Sequence, residues 1–177
     1  MIALKTLNKS CSVQFFAPLF LALLFFSSSA CVSVDVVPKG PRRSAHAVRY
    51  TPPPNPFIRI RNPHADMTWE NPQTGSSISF QSDCSESGQI PLDQAFIAMT
   101  KDLNELQIRD RQSLNYNSRA ALRTTFVSLV DGLPVQVSAL LFNKNSCAYV
   151  LTYVSAPNVF AQDLDAFENF LREFRAP

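Results

Sequence analysis

The residues that could carry acid–base or metal chemistry are few in this chain, and their spacing is unhelpful to it. Its two histidines, His46 and His64, both precede residue 66, so the longer C-terminal part lacks the commonest general base and the commonest metal ligand. The four glycines, Gly40, Gly75, Gly88 and Gly132, are scattered singly and build no phosphate loop. Serine is abundant, but no serine lies in a nucleophile elbow, and without a base its hydroxyl is a weak nucleophile. Carboxylates come in two local groups: Asp83 with Glu86, and Asp163 with Asp165 and Glu168. The second group falls at the start of an expected helix, where acids complement the macrodipole, and the first looks like a polar loop. Arg109, Arg111, Arg119 and Arg123 are the one basic cluster in this part and a candidate anion site. If a two-residue turn joins their strands, Tyr116 faces Arg119 and Gln112 faces Arg123, with Asp110 in diagonal reach, which is also the pattern of a solvated face with local ion pairs. The sequence therefore proposes no catalytic residue, no metal site and no cofactor.

Cysteines say more. Of the four, Cys11 and Cys31 lie near the N-terminus, and Cys84 and Cys147 lie far downstream. Lys5 and Lys9 precede the apolar run Val13 to Phe26, which is shorter than the roughly 20 residues a helix needs to cross a bilayer core, so residues 1–30 read as a secretory signal. The run ends in Ser28-Ser29-Ala30-Cys31, which resembles the lipobox of bacterial lipoproteins, with Ser28 where Leu or Val is usual. The resemblance implies cleavage before Cys31 and lipid attachment to it. Ser28 and Ala30 also satisfy the small-x-small rule of ordinary signal peptidase. Acylation of Cys31 leaves an even pair, Cys84 and Cys147, able to close one disulfide in an oxidising compartment; a metal or redox pair would want CxxC spacing or neighbouring histidines. In the lipoprotein family an Asp after the cysteine retains the protein at the inner membrane. Val32 therefore implies an outer-membrane lipoprotein facing the periplasm, and several acyl chains on one cysteine should scarcely dissociate.

Residues 31–65 read as a tether. From Val32 to Ala65 there are seven prolines, six basic residues (Lys39, Arg42, Arg43, Arg49, Arg59, Arg61) and a single acid, Asp35, a composition expected to be disordered, with Pro52-Pro53-Pro54 favouring an extended spacer. Residues 66–177 reverse the balance, with eight basic residues against thirteen acids. An acidic domain argues against nucleic acid as a partner, and a basic tether beside anionic phospholipid gains attraction.

The 66–177 segment predicts one α+β domain. Short strands are expected at Met67 to Glu70 and Ser76 to Ser82 around the turn Asn71 to Gly75. Leu92, Ala95, Phe96, Met99, Leu103 and Leu106 then follow helical spacing after Pro91, which is tolerated in a first turn. Gln107 to Tyr116, Arg119 to Val130, Val135 to Phe142 and Cys147 to Val154 read as a four-stranded antiparallel meander, with turns at Asn117-Ser118, Asp131-Gly132 and Asn143 to Asn145. A closing amphipathic helix presents Phe160, Leu164, Phe167, Phe170, Leu171 and Phe174, and both helices are expected to bury against one face of the sheet.

This order resembles the PsbP-like superfamily through Trp69 with Gly75-Ser76-Ser77-Ile78-Ser79-Phe80, Pro91-Leu92, Asp131-Gly132 and the terminal Phe167 to Phe174. The resemblance implies an assembly or binding subunit. Together with the anchor, it sets the leading expectation: a non-enzymatic envelope lipoprotein that supports an envelope protein complex. The alternatives are a carrier of a lipid or small apolar ligand and, third, an envelope hydrolase using Asp83 or Asp163.

Overall fold

The computed structural model describes residues 42–85 and 90–177. The leader, the lipobox with Cys31, and Glu86 lie outside the described residues. Seven strands form one antiparallel sheet in the order β1-β2-β3-β7-β6-β5-β4. They are β1 (Ile58–Ile60), β2 (Met67–Asn71), β3 (Ser76–Asp83), β4 (Asn104–Tyr116), β5 (Arg119–Val130), β6 (Leu133–Lys144) and β7 (Cys147–Ser155). Helix α1 (Leu92–Thr100) sits between β3 and β4, and α2 (Phe160–Glu173) closes the chain. The expected strand pair and meander are therefore one sheet, joined where β3 pairs with β7 (Ile78 opposite Tyr153, Phe80 opposite Leu151).

Turn chemistry sets the meander. Asn117 and Ser118 (φ 52° and 63°), Asp131 and Gly132 (51° and 78°), and Asn145 and Ser146 (48° and 62°) each supply two consecutive positive φ values. Such turns match the twist of the strands they join, and Asn, Asp and Gly tolerate the left-handed region best. The third turn lies at Asn145-Ser146 rather than at Asn143 to Asn145, because β6 runs on to Lys144 opposite Cys147. A Cβ on Gly75 or Gly132 would meet nothing within 4 Å, so these glycines serve their positive φ and not a close approach.

The helices do not share a face of the sheet. Tyr149, Leu151 and Tyr153 of β7 point to the α2 side, with Trp69, Ile78, Phe80, Leu140, Phe142, Phe167, Phe170 and Phe174. Val150 and Val154 point to the α1 side, with Phe96, Met99, Leu122, Phe126, Val137 and Leu141. Strands β6 and β7 are apolar at both parities, the mark of strands covered on both faces, and one helix is needed for each. Helix α1 stops at Thr100, whose hydroxyl donates back to the Phe96 carbonyl at 2.9 Å. Leu103 and Leu106 still pack on the α1 cluster, from the following turn and from β4. Pro91 stands just before the helix and not in its first turn.

The domain begins upstream of Asp66. From Arg42 on, the segment expected to be tether is laid against the sheet: β1 pairs with β2, Phe57 is buried, and Ala45, Val48 and Tyr50 pack on the α2 cluster. Arg49 and Arg175 form an antiparallel bridge, N–H to carbonyl in both directions at 3.0 and 2.7 Å. Asp66 fixes the start of this segment, accepting from Ser44 Oγ at 2.6 Å, Ser82 N at 2.8 Å and Ser82 Oγ at 2.5 Å, with Arg42 at 3.3 Å. Among the prolines only the short alternation Ile58-Arg59-Ile60-Arg61 marks a strand, and a few large apolar residues hold the rest of the segment. Among the described residues, no helix is long and apolar enough to cross a membrane.

Candidate functional site

The carboxylates that might have done chemistry are engaged in holding the fold. Asp163, in the first turn of α2, accepts from Asn71 Nδ2 at 3.1 and 3.0 Å and from Thr74 Oγ1 at 2.6 Å, which ties the β2–β3 turn to the helix. Glu168 takes both arms of Arg123, one at 3.0 Å and the other closer. Asp83 accepts from the Ser85 amide at 2.8 Å. Asp163 and Asp83 thus belong to separate hydrogen-bonding groups. Among the described residues no group of three or more His, Cys, Asp or Glu side chains converges as metal ligands would.

The arginines are divided between the two faces. Tyr116 does lie opposite Arg119, and Gln112 opposite Arg123, so these two arginines share the α2 face. Arg111 lies opposite Thr124, at the parity of the α1 face; it pairs with Asp93 of α1 and sits over the Phe96 ring with 5.0 Å to the centroid. Arg109 falls in the irregularity between Ile108 and Asp110, and Asp110 is not the partner of either paired arginine. The four therefore do not converge on one anion. Strand alternation from the Asn117-Ser118 turn was the signal for this division, since it assigns 111 and 123 to opposite faces.

The two ion pairs differ in exposure, and this sets their worth. Arg123 and Glu168 are 26% and 30% exposed, whereas Asp93 is 77% exposed. A double-mutant cycle on Arg123→Ala and Glu168→Ala should give a coupling of about 1 kcal/mol, and one on Arg111→Ala and Asp93→Ala about 0.3 kcal/mol. Equal couplings would contradict this ranking.

Aromatic rings fill the space between α2 and the sheet. Phe142 and Tyr149 stack at 4.8 Å, Tyr50 meets Trp69 and Phe80 at 5.5 and 5.1 Å, and Phe170 reaches Trp69 at 5.5 Å. Trp69 and the phenylalanines are core here, where a carrier would need room. Tyr116 donates to the Leu171 carbonyl at 2.6 Å and Tyr153 to the Phe160 carbonyl at 2.8 Å, while the buried Tyr149 hydroxyl has no hydrogen-bond partner among the described residues. Burial raises all three phenols above the ordinary value of 10.0. Below that value both folded and unfolded chains keep them protonated. Above it the unfolded chain loses protons that the folded one retains, so stability falls as pH rises from 10 toward the raised values. Urea midpoints measured near pH 9 and near pH 11 should drop between the two; a constant midpoint would mean that these hydroxyls are wet.

Cys84 and Cys147 are joined by a disulfide, with Cα atoms 4.0 Å apart. It links the end of β3 to the start of β7, and the first described residues dock beside it, Cys84 N donating to Arg43 O at 2.8 Å and Arg43 Nη2 to Cys84 O at 2.7 Å.

One more surface takes shape around the incoming segment. Two adjoining depressions of about 420 and 490 Å³ share Asp66 and Met67 in their walls. Arg59 and Arg61 line the first, and Arg42 and His46 the second. This surface escaped the sequence reading, which placed all four residues in a free tether.

The architecture is an antiparallel sheet with one helix on each face, stapled by a disulfide. No protein-family model matches the chain, and no curated protein is similar to it. Among solved structures, LpqN of Mycobacterium tuberculosis, involved in cell envelope biogenesis, is similar over 77% of this chain and 86% of its own, with a TM-score of 0.53 and 12% identity. Cyanobacterial PsbP (CyanoP) of Synechocystis sp. PCC 6803 is similar over 70% of this chain and 84% of its own, with a TM-score of 0.49 and 10% identity. The likeness to LpqN shows a common fold.

Proposed function

We propose that this chain is a non-enzymatic lipoprotein of the bacterial outer membrane, acylated at Cys31, whose periplasmic domain binds or supports an envelope protein complex. The observation that carries this reading is the employment of candidate carboxylates in the fold: Asp163 ties the β2–β3 turn to α2, and Glu168 holds Arg123 of β5. What such a domain offers is a rigid surface. The expected leader and lipobox supply the address, and the fold shared with an envelope-biogenesis protein supports it. A carrier role has less support, since rings occupy the space between α2 and the sheet.

Crosslinking in intact cells, followed by purification of the tagged full chain from membranes, should recover a stoichiometric envelope protein. Recovery of the chain alone across several crosslinker lengths would count against a supporting role. A co-purifying apolar molecule in mass spectra would favour the carrier.

A further inference from the structure

We propose that β1 and the Arg42–Tyr50 segment form a basic face that docks on an anionic membrane surface, laying the anchored domain with this end against the bilayer. The proposal deepens the reading above and rests on acylation of Cys31. Residues 42–65 contain Arg42, Arg43, Arg49, Arg59 and Arg61 and no acid. Folding gathers three of them, Arg42, Arg59 and Arg61, around two adjoining depressions instead of spreading them along a spacer: β1 is an edge strand, and the first described residues line the neighbouring depression. Arg59 and Arg61 are two apart on that strand, so both project from the same face, and both are exposed. Among the described residues Asp66 is the one carboxylate lining the depressions, and it is taken up by Arg42, Ser44 and Ser82. The remaining charge there is positive, in contrast to the acidic balance of residues 66–177.

Where the chain enters selects the occupant. Arg42 is eleven residues beyond Cys31, and eleven residues span at most about 40 Å. An acyl anchor at Cys31 therefore keeps this corner of the domain within reach of the bilayer, and anionic headgroups complement its charge.

The test uses the full chain purified from membranes and reconstituted on vesicles of phosphatidylcholine alone or with about one-third phosphatidylglycerol. Backbone amides in 43–50 and 57–61 should exchange about fivefold more slowly on the anionic vesicles, with β4 unchanged. The protection should vanish near 0.5 M salt and in the R59E/R61E double variant. Equal exchange on the two vesicles, or protection of β4 instead, would overturn the proposal. So would protection by polyglutamate without protection by phosphatidylglycerol, which would indicate an acidic protein partner. Flotation separates the two readings: a chain that fails to float with pure phosphatidylcholine lacks the anchor. The face is then read from flotation with the anionic vesicles alone, where wild type should remain bound and R59E/R61E should not.

Discussion

Replacing Cys84 and Cys147 together by alanine should cost the domain roughly 4 kcal/mol of stability, the chain-entropy value for a closed loop of this length. The bridge spans a sequence separation of 63 residues, which includes α1 and all of β4, β5 and β6. Without it, the β3·β7 pairing must be found across that whole stretch by an unconstrained chain. The loss is a large fraction of the 5 to 15 kcal/mol typical of a domain, so a chain made in a reducing compartment should unfold at a markedly lower urea concentration. Equilibrium urea unfolding of the double variant against the oxidised wild type measures the difference. A loss below about 1 kcal/mol would mean that the meander and the front strands find each other without help. Docking of Arg43 to the backbone of Cys84 adds a local consequence: the reduced protein should lose amide protection at 43–45 before it loses the sheet.

Phe170→Ala should be nearly as damaging, at about 4 kcal/mol, within the range for emptying a buried aromatic site. Phe170 is 2% exposed and its ring meets Tyr50, Trp69, Phe80 and Phe174 at 6.1, 5.5, 6.3 and 5.8 Å. These partners come from the incoming segment, β2, β3 and the C-terminal end, so one truncation loosens four parts of the chain at once. A structural signature should accompany the loss: exposure of Trp69, the only tryptophan, should shift its fluorescence to the red in the folded variant. By contrast Ile97→Ala, at a position 64% exposed on the outer side of α1, should change stability by less than about 0.5 kcal/mol. Comparable losses at the two positions would contradict the placement of the core.

Much of this core could be read from the chain because its signals are local. The Asn117-Ser118 and Asp131-Gly132 turns fix β5 at both ends, and its bounds match the expected Arg119 to Val130. The phenylalanines of α2 repeat at helical spacing, and the helix lies where they place it. The features that escaped depend on long-range contacts. At β1 the alternation Ile58-Arg59-Ile60-Arg61 is a strand signal of only four residues between Pro56 and Pro63, and the strand is held by pairing with β2. The distribution of α1 and α2 to opposite faces follows from β6 and β7 being apolar at both parities, a pattern that had been present in Val135 to Phe142 and Cys147 to Val154. Helical spacing overran at Leu103 and Leu106, since two leucines beyond the helix end happen to pack on the same cluster. The arginine quartet looked like a site in one dimension. Pairing and strand alternation dispersed it, one member to Asp93 and another to Glu168.

The basic face shows how a composition can mislead about structure while remaining informative about charge. Five arginines among prolines suggested a solvated spacer, and the fold instead sets three of them, Arg42, Arg59 and Arg61, around adjoining depressions of a packed domain. Positive charge survives there because, among the described residues that line the depressions, Asp66 alone is a carboxylate, and Arg42 pairs with it. Orientation on a membrane is then a property of the folded domain as well as of its attachment.

Attachment itself is the claim on which the proposed role depends. Growth with labelled palmitate, followed by isolation of the wild-type chain and of Cys31→Ala, tests it most directly. The account predicts label on the wild-type chain in the outer-membrane fraction and none on the variant. An unlabelled wild-type chain, or label that persists after Cys31→Ala, would contradict it.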